Sequence, residues 1–450
     1  MSDPILAQFK EALRISLLYF IHFAVFIQCF LMSTLLYILR IILHLFTAIP
    51  QLKHLRKSLM RFLPQINPDV YAKAEDLIMS HIEYNIETHK ILTEDGYYLT
   101  AWRILSSDKK KSQEARSKAP VILMHGLLDC SFSWFVNKER QMCLPYILAD
   151  QGYDVWCMNN RGNRYSLGHK YFKHIKSNPH YWNYGFDELA KYDVKANVQY
   201  VLDTTSHSKV FYVGHSQGST QMFAKLMEDP QFQEKIKAFI ALGPAIYIQN
   251  LASNFVKKMF GCGFYQLLDK LGYRNFLVLP KSISRRVGAL CHYLPFLYDI
   301  GLFKVMNLLC GFPVENKIPR DKISVIVTHE PGGASVRNIL QWEQFMKSGE
   351  FKKFDFGAQK NMKVYGQTKP PCYNTENLKK ITIPQHLFIG TSDIVGNKID
   401  TDRLLQLVNP DSSKIYTLND YAHLDYVWGT DANTVLYPQI IKILKAHQTT

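Results

Sequence analysis

The chain has 450 residues, 47% of them hydrophobic and 20% charged, which is enough for one large globular domain and too few for three. Its net charge of +15 raises nucleic acid as a partner, yet no nucleic-acid motif accompanies the charge, so none is expected. The basic residues instead cluster in Arg40–Arg61, which suits an anionic membrane surface, and in Lys109-Lys110-Lys111 with Arg116 and Lys118. Eight cysteines are scattered without CxxC pairs or zinc spacing, so neither a metal nor a disulfide framework is expected. Cys130, Cys143 and Cys157 fall in or beside the predicted core.

Ile15–Leu39 is a 25-residue stretch free of Asp, Glu, Lys and Arg. As a helix it exceeds the roughly 30 Å hydrocarbon thickness of a bilayer. The run is longer than the core of a cleavable signal, and Phe46-Thr47-Ala48 is a poor cleavage site, so an uncleaved single-pass anchor is expected. Lys10 and Arg14 precede the span, whereas Arg40, Lys53, Arg56, Lys57 and Arg61 follow it. That bias places the remainder of the chain on the cytosolic side, at the endoplasmic reticulum, a lipid droplet or the plasma membrane. The absence of any Asn-x-Ser/Thr sequon leans the same way. A one-leaflet hairpin and a lumenal orientation are the alternatives.

Pro64 and Pro68 separate the anchor from the body. Asn85–Leu92 and Tyr97–Ile104 flank Thr93-Glu94-Asp95-Gly96, a hairpin with an Asp-Gly turn. Ser106–Ala119 is polar and basic and is expected to be a loop. Short buried strands follow at Pro120–Met124, Tyr153–Met158, Val210–Val213 and Ile236–Leu242, with helix-like stretches around Lys138–Asp150 and Phe186–Leu202. Continuous apolar strands alternating with helices predict a parallel sheet covered on both faces. From about Ile248 to Tyr373 the alternation stops, and helix-like apolar patterns predict a cap with a lid. Strand pattern resumes at Ile383–Gly390 and Lys414–Leu418.

Gly214-His215-Ser216-Gln217-Gly218 lies between the strand ending at Val213 and a helix-like stretch. That context makes Ser216 the candidate nucleophile on a sharp strand-to-helix turn. A serine hydroxyl needs a base, and the base an orienting acid, and in parallel sheets such groups cluster at strand carboxyl ends. Asp393 follows the strand ending at Gly390, and His423 follows the last strand, so these are the candidate acid and base. Asp400 and Asp402 are fallback acids. Backbone N–H groups of Gln217 and Leu127 are the candidate oxyanion donors. His125 is expected to hold its loop rather than act as a base. No cofactor is called for.

Several motifs occur in an order that resembles the acid lipase family. They are Thr93-Glu94-Asp95-Gly96-Tyr97, His125-Gly126-Leu127, Gly152-Tyr153-Asp154-Val155-Trp156 and Asn160-Arg161-Gly162-Asn163. Phe186-Asp187-Glu188, Lys191-Tyr192-Asp193, Gly214-His215-Ser216-Gln217-Gly218 and His423-Leu424-Asp425 with Trp428 complete the series. The similarity runs from about Ala72 to Leu444. It implies an α/β-hydrolase core with an inserted cap, hydrolysis of steryl esters and triacylglycerol, and the same five site residues. Two departures stand out: an anchor replaces the signal peptide and sequons of secreted members, and the family's cap disulfide lacks a partner, since Leu302 and Tyr293 fall near the cysteine positions. Both point to the membrane-anchored steryl ester hydrolase branch. An acyltransferase or peptidase using the same three residues, and a catalytically silent lipid-binding protein, are the competing readings.

The expected organisation is therefore an anchor and basic flank over residues 1–62 and a first α/β-hydrolase part over 63–247. An inserted cap over 248–375 and a second hydrolase part over 376–450 follow. The expected partners are a lipid ester substrate and a membrane or lipid-droplet surface.

Overall fold

The computed structural model describes residues 67–173, 178–293, 303–311, 317–318 and 320–448. The anchor expected at Ile15–Leu39 lies outside these residues. No helix among the described residues is long and apolar enough to cross a membrane. The chain divides into two compact units. Among the described residues the smaller holds the turn Pro68–Val70, the helix Lys281–Tyr293 and residues 323–328. Within it, a Cβ at Gly288 would lie 2.0 Å from Thr328 Oγ1 and 2.5 Å from Ser324 O, so glycine permits the close approach there.

The larger unit is built on a sheet. Its strands are β1 (Tyr84–Leu92), β2 (Tyr97–Ser106), β3 (Val121–Met124), β4 (Val155–Met158), β5 (Gly168–His169), β6 (Val210–His215), β7 (Ile236–Leu242), β8 (Asn275–Phe276), β9 (Ala334–Ser335), β10 (Gln385–Gly390) and β11 (Ser413–Leu418). The main sheet runs β1-β2-β4-β3-β6-β7-β10-β11, with β5 against β2, while β8 and β9 form a separate pair. Every pairing from β4 to β11 is parallel, and β1 and β2 are antiparallel to their neighbours. The cause is visible in the residues: β3, β4 and β6 are buried at every position, as strands covered on both faces must be. The hairpin closes as expected, with Thr93 N–H donating to Tyr97 O at 2.8 Å and Gly96 at φ +96°.

One expected loop is ordered. Within Ser106–Ala119, Lys109–Ser117 is a helix whose N-cap, Asp108, accepts the Lys111 N–H at 3.0 Å. Charge density hid it, because only Ala115 of that helix is buried. The informative features were the capping Asp108 and a run of strong helix formers; such a cap is worth about 1 kcal/mol.

Three of the family-like motifs meet in one buried ion cluster. The Arg161 guanidinium, fully buried, bonds Asp193 Oδ1 through Nε at 2.7 Å and both Asp95 oxygens at 2.6 and 2.9 Å. It thereby ties the hairpin turn, the loop after β4 and the π-turn Leu189–Asp193 inside the long helical stretch that begins at Phe186. Removing one partner of such a buried cluster typically costs about 3–5 kcal/mol, because the remaining charge is stranded. The expectation of a helix over Phe186–Leu202 is met, with the π-turn as the added detail.

His386 on β10 makes stability depend on pH. Its Nε2 is 3.0 Å from His447 Nε2 on the helix Tyr437–Gln448, and its Nδ1 is 3.0 Å from Tyr416 OH on β11. Burial, then His447 and Lys414, push its pKa down to about 4. The unfolded imidazole gains a proton below about 6.5, so between these values the unfolded state binds more protons. The stabilisation is therefore intact above pH 6.5 and is lost as the pH falls toward 4. His386→Gln is expected to lessen the loss of stability between pH 7 and pH 5 by about 1–2 kcal/mol. Urea midpoints at the two pH values read this directly; an unchanged pH difference in the variant rules the imidazole out as the cause.

Candidate active site

β6 ends at His215 and the helix Gln217–Glu228 starts two residues later, which leaves Ser216 alone in the turn. Its backbone is at φ 52°, ψ −121°, a conformation that L residues rarely adopt and that costs on the order of 1–3 kcal/mol. The flanking glycines make room for it. A Cβ at Gly214 would lie 2.6 Å from the Gly218 and Ser219 backbone, and one at Gly218 would lie 2.5 Å from Met124 O. The Ser216 N–H donates to Leu242 O at 2.9 Å, and Ser216 O accepts the Ser219 and Thr220 N–H groups at 2.9 and 3.0 Å. The backbone is thus fixed on both sides while the hydroxyl projects from the turn.

The Ser216 hydroxyl reaches His423 Nε2 at 2.7 Å, and His423 Nδ1 reaches Asp393 Oδ2 at 2.8 Å. With Nδ1–H donating to the carboxylate, Nε2 is left as the acceptor of the serine proton. The second Asp393 oxygen accepts the Val395 and Gly396 N–H groups, each at 2.9 Å, so the carboxylate is held at both ends. All three side chains are buried. Asp393 follows β10 and His423 follows β11, which the sheet order places side by side beyond β7. The fallback acids lie elsewhere. Asp400 accepts the Asn250 N–H and Nδ2–H at 2.8 and 2.9 Å, and exposed Asp402 pairs with Lys398.

The two candidate oxyanion donors lie on the chain segments next to Ser216. Gln217 is the first residue of the helix after Ser216, and Leu127 follows Gly126, where a Cβ would lie 3.2 Å from Ser216 Cβ. Neither backbone N–H is engaged by another described residue. His125 sits behind them as a fastening: its Nδ1 bonds Gly126 O at 2.8 Å and its Nε2 accepts the Asn160 N–H at 3.0 Å. Burial lowers its pKa, which keeps it neutral in that role.

Four supporting residues escaped the sequence reading. His215 Nε2 donates to the main-chain oxygen of His423 at 2.7 Å, and burial, then the neighbouring His423, push its pKa down to about 4. Gly243, at φ +53°, borders the acid–base pair: a Cβ there would lie 2.9 Å from the Tyr426 ring, 3.1 Å from Asp393 Oδ2 and 3.4 Å from His423 Nδ1. From the helix Val336–Ser348, Asn338 Nδ2 and Trp342 Nε1 both donate to Gln217 Oε1, at 3.1 and 2.7 Å. Gly243 was visible only as a strand end, and the helix residues are too distant in sequence to leave a local signal. Among the described residues no group of three or more His, Cys, Asp or Glu is arranged to hold a metal, and all seven cysteines there are free.

A mostly parallel sheet with a serine at the strand–helix turn after β6, an acid after β10 and a histidine after β11 defines the α/β-hydrolase class. Residues 76–138 match the partial alpha/beta-hydrolase lipase region, and residues 119–263 match the alpha/beta hydrolase fold. Gastric triacylglycerol lipase of Bos taurus is 33% identical over 405 residues, covering 87% of this chain and 96% of that protein. Human lysosomal acid lipase/cholesteryl ester hydrolase is 33% identical over 388 residues, covering 86% of this chain and 94% of that protein. Lipase lipl-1 of Caenorhabditis elegans is 34% identical over 371 residues, covering 80% and 89%. The chain belongs to the acid lipase family of α/β-hydrolases and is a carboxylic ester hydrolase.

Proposed function

We propose that the chain hydrolyses steryl esters and triacylglycerol, with Ser216 as nucleophile, His423 as general base and acid, and Asp393 orienting the imidazole. The observation that carries this reading is the unbroken hydrogen-bond relay from the Ser216 hydroxyl through His423 to Asp393. Ser216 Oγ attacks the ester carbonyl carbon as its proton passes to His423 Nε2. The negative charge that develops on the carbonyl oxygen is met by the Leu127 and Gln217 N–H groups. The imidazolium, stabilised by Asp393, returns the proton to the departing alcohol, leaving an acyl group on Ser216. Water deprotonated by His423 then attacks that acyl carbon, and the fatty acid leaves as Ser216 regains its proton.

The lipid substrate class rests on two supports. Relatives of similar length carry the names of triacylglycerol and cholesteryl ester hydrolases. The helix-like apolar pattern of the sequence over residues 248–375 favours a cap suited to a water-insoluble ester, with part of it acting as a lid. The apolar stretch Ile15–Leu39 and the five basic residues after it favour an anchor that keeps this chemistry on the cytosolic face of a membrane.

One experiment addresses all of this. Sealed microsomes containing the full chain are assayed against a panel of steryl esters, triacylglycerols and short soluble esters, before and after protease treatment. Hydrolysis of steryl esters that sediments with the membranes and is lost to added protease is the expected result. Cleavage of short esters alone removes the lipid reading, and protection from protease until detergent is added reverses the orientation.

A further inference from the structure

The loop that carries Leu127 is built around a carboxylate with no part in the relay. Asp129 Oδ2 accepts the Gly126 N–H at 3.1 Å, and its Oδ1 accepts both the Cys130 N–H at 2.8 Å and the Ser133 hydroxyl. One side chain thus closes residues 126–133 into a tight ring that contains the half-buried Leu127. Leu128, inside that ring, sits at φ +59°, which a leucine adopts only when its surroundings impose it. Its carbonyl accepts the Gly332 N–H at 2.7 Å. The Ser133 hydroxyl in turn accepts Trp428 Nε1–H at 3.0 Å, from the short helix Asp425–Trp428 just after His423. Behind the ring, Glu330 receives the Cys130 thiol, and burial, then the charge of Asp129, raises its pKa well above the usual carboxylate range. Asp129 is therefore the acceptor anchoring a strained loop that lies against Ser216.

We propose that Asp129 is a positioning residue for the oxyanion donor: with Ser133, it fixes the 126–133 loop so that the Leu127 N–H faces the reacting carbonyl. This rests on the Ser216 and Leu127 reading above. A misplaced loop leaves the ground-state ester bound and costs only the stabilisation of the charged intermediate.

The test uses the full chain with p-nitrophenyl butyrate as substrate and a trifluoromethyl ketone as a mimic of the tetrahedral adduct. Asp129→Ala is expected to lower kcat by about 10²–10³-fold, as loss of an oxyanion donor does. KM should stay within about threefold, and affinity for the ketone should fall by the same factor as kcat. Asp129→Asn, which keeps one acceptor, is expected to recover part of both. A merely structural carboxylate would lower the amount of folded enzyme and leave the kcat of each folded, titrated site untouched, and that result overturns the proposal. Should Asp129→Ala fail to fold, wild-type kcat in both Asp129→Asn and Ser133→Ala overturns it equally. Fluorophosphonate labelling of the unmutated chain separates the two levels. No labelling at Ser216 removes the nucleophile and this proposal together, whereas labelling with wild-type kcat in Asp129→Ala removes this proposal alone.

Discussion

Ser216→Ala is expected to lower ester hydrolysis by about 10⁶-fold while the fold persists. The substitution deletes only Oγ, the atom that must bond the acyl carbon. The elbow is held by main-chain contacts that alanine retains: the Ser216 N–H to Leu242 O and the Ser216 O to the Ser219 and Thr220 N–H groups. Backbone strain at φ 52° is also nearly the same for Ala as for Ser, since both carry a Cβ. Some catalysis above that of water should survive, because the oxyanion donors and His423 remain. Initial rates on a short ester give the size of the effect, and a melting curve gives the integrity of the fold. A fluorophosphonate should label the parent chain at Ser216 and leave the variant unlabelled. Labelling that persists in the variant moves the nucleophile to another residue.

The parts of this architecture legible in the sequence are those with a local physical cause. β3, β4 and residues 210–213 of β6 are continuous apolar runs, and β7 is apolar but for Lys237, because both faces of a central parallel strand are covered. Such runs need no knowledge of their neighbours to be recognised. The turn at Ser216 is legible for a similar reason: two glycines are needed where the helix passes within van der Waals reach of β3 and β6. Asp393 and His423 could be selected from many acids and sixteen histidines only through the rule that strand carboxyl ends gather the chemistry. What escaped was set by distance. His215 supports His423 through a main-chain oxygen, and any residue type at 423 would present that oxygen, so nothing in the sequence marks the pairing. Asn338 and Trp342 meet Gln217 only after the chain has passed through the helices that follow β7. Asp129 acts on its own loop, yet its pattern is not periodic and resembles an ordinary turn. The helix Lys109–Ser117 failed for a different reason: its helix-forming residues were outweighed by their charge.

His423→Ala and Asp393→Asn are expected to be deeply damaging and far from additive. Without His423 the Ser216 proton has no side-chain acceptor within hydrogen-bond reach among the described residues, so loss should approach the roughly 10⁶-fold of the serine variant. Asp393→Asn keeps the shape of the site but replaces an acceptor with an amide that offers a donor toward His423 Nδ1. The favoured imidazole then turns its proton toward Ser216, and kcat should fall by about 10⁴-fold. The double variant should be scarcely worse than His423→Ala alone, because an orienting carboxylate has no function once the imidazole is gone. Asp400→Asn supplies the control. Its carboxylate is occupied by the Asn250 backbone and side chain, so its loss should lower the melting temperature and leave kcat for the folded fraction close to that of the parent. Comparing kcat across these four variants, normalised to titrated sites, decides the assignment. A mild Asp393→Asn beside a crippling Asp400→Asn transfers the acid to residue 400. A double variant whose loss equals the product of the two singles shows that His423 and Asp393 act separately, and the relay reading then fails.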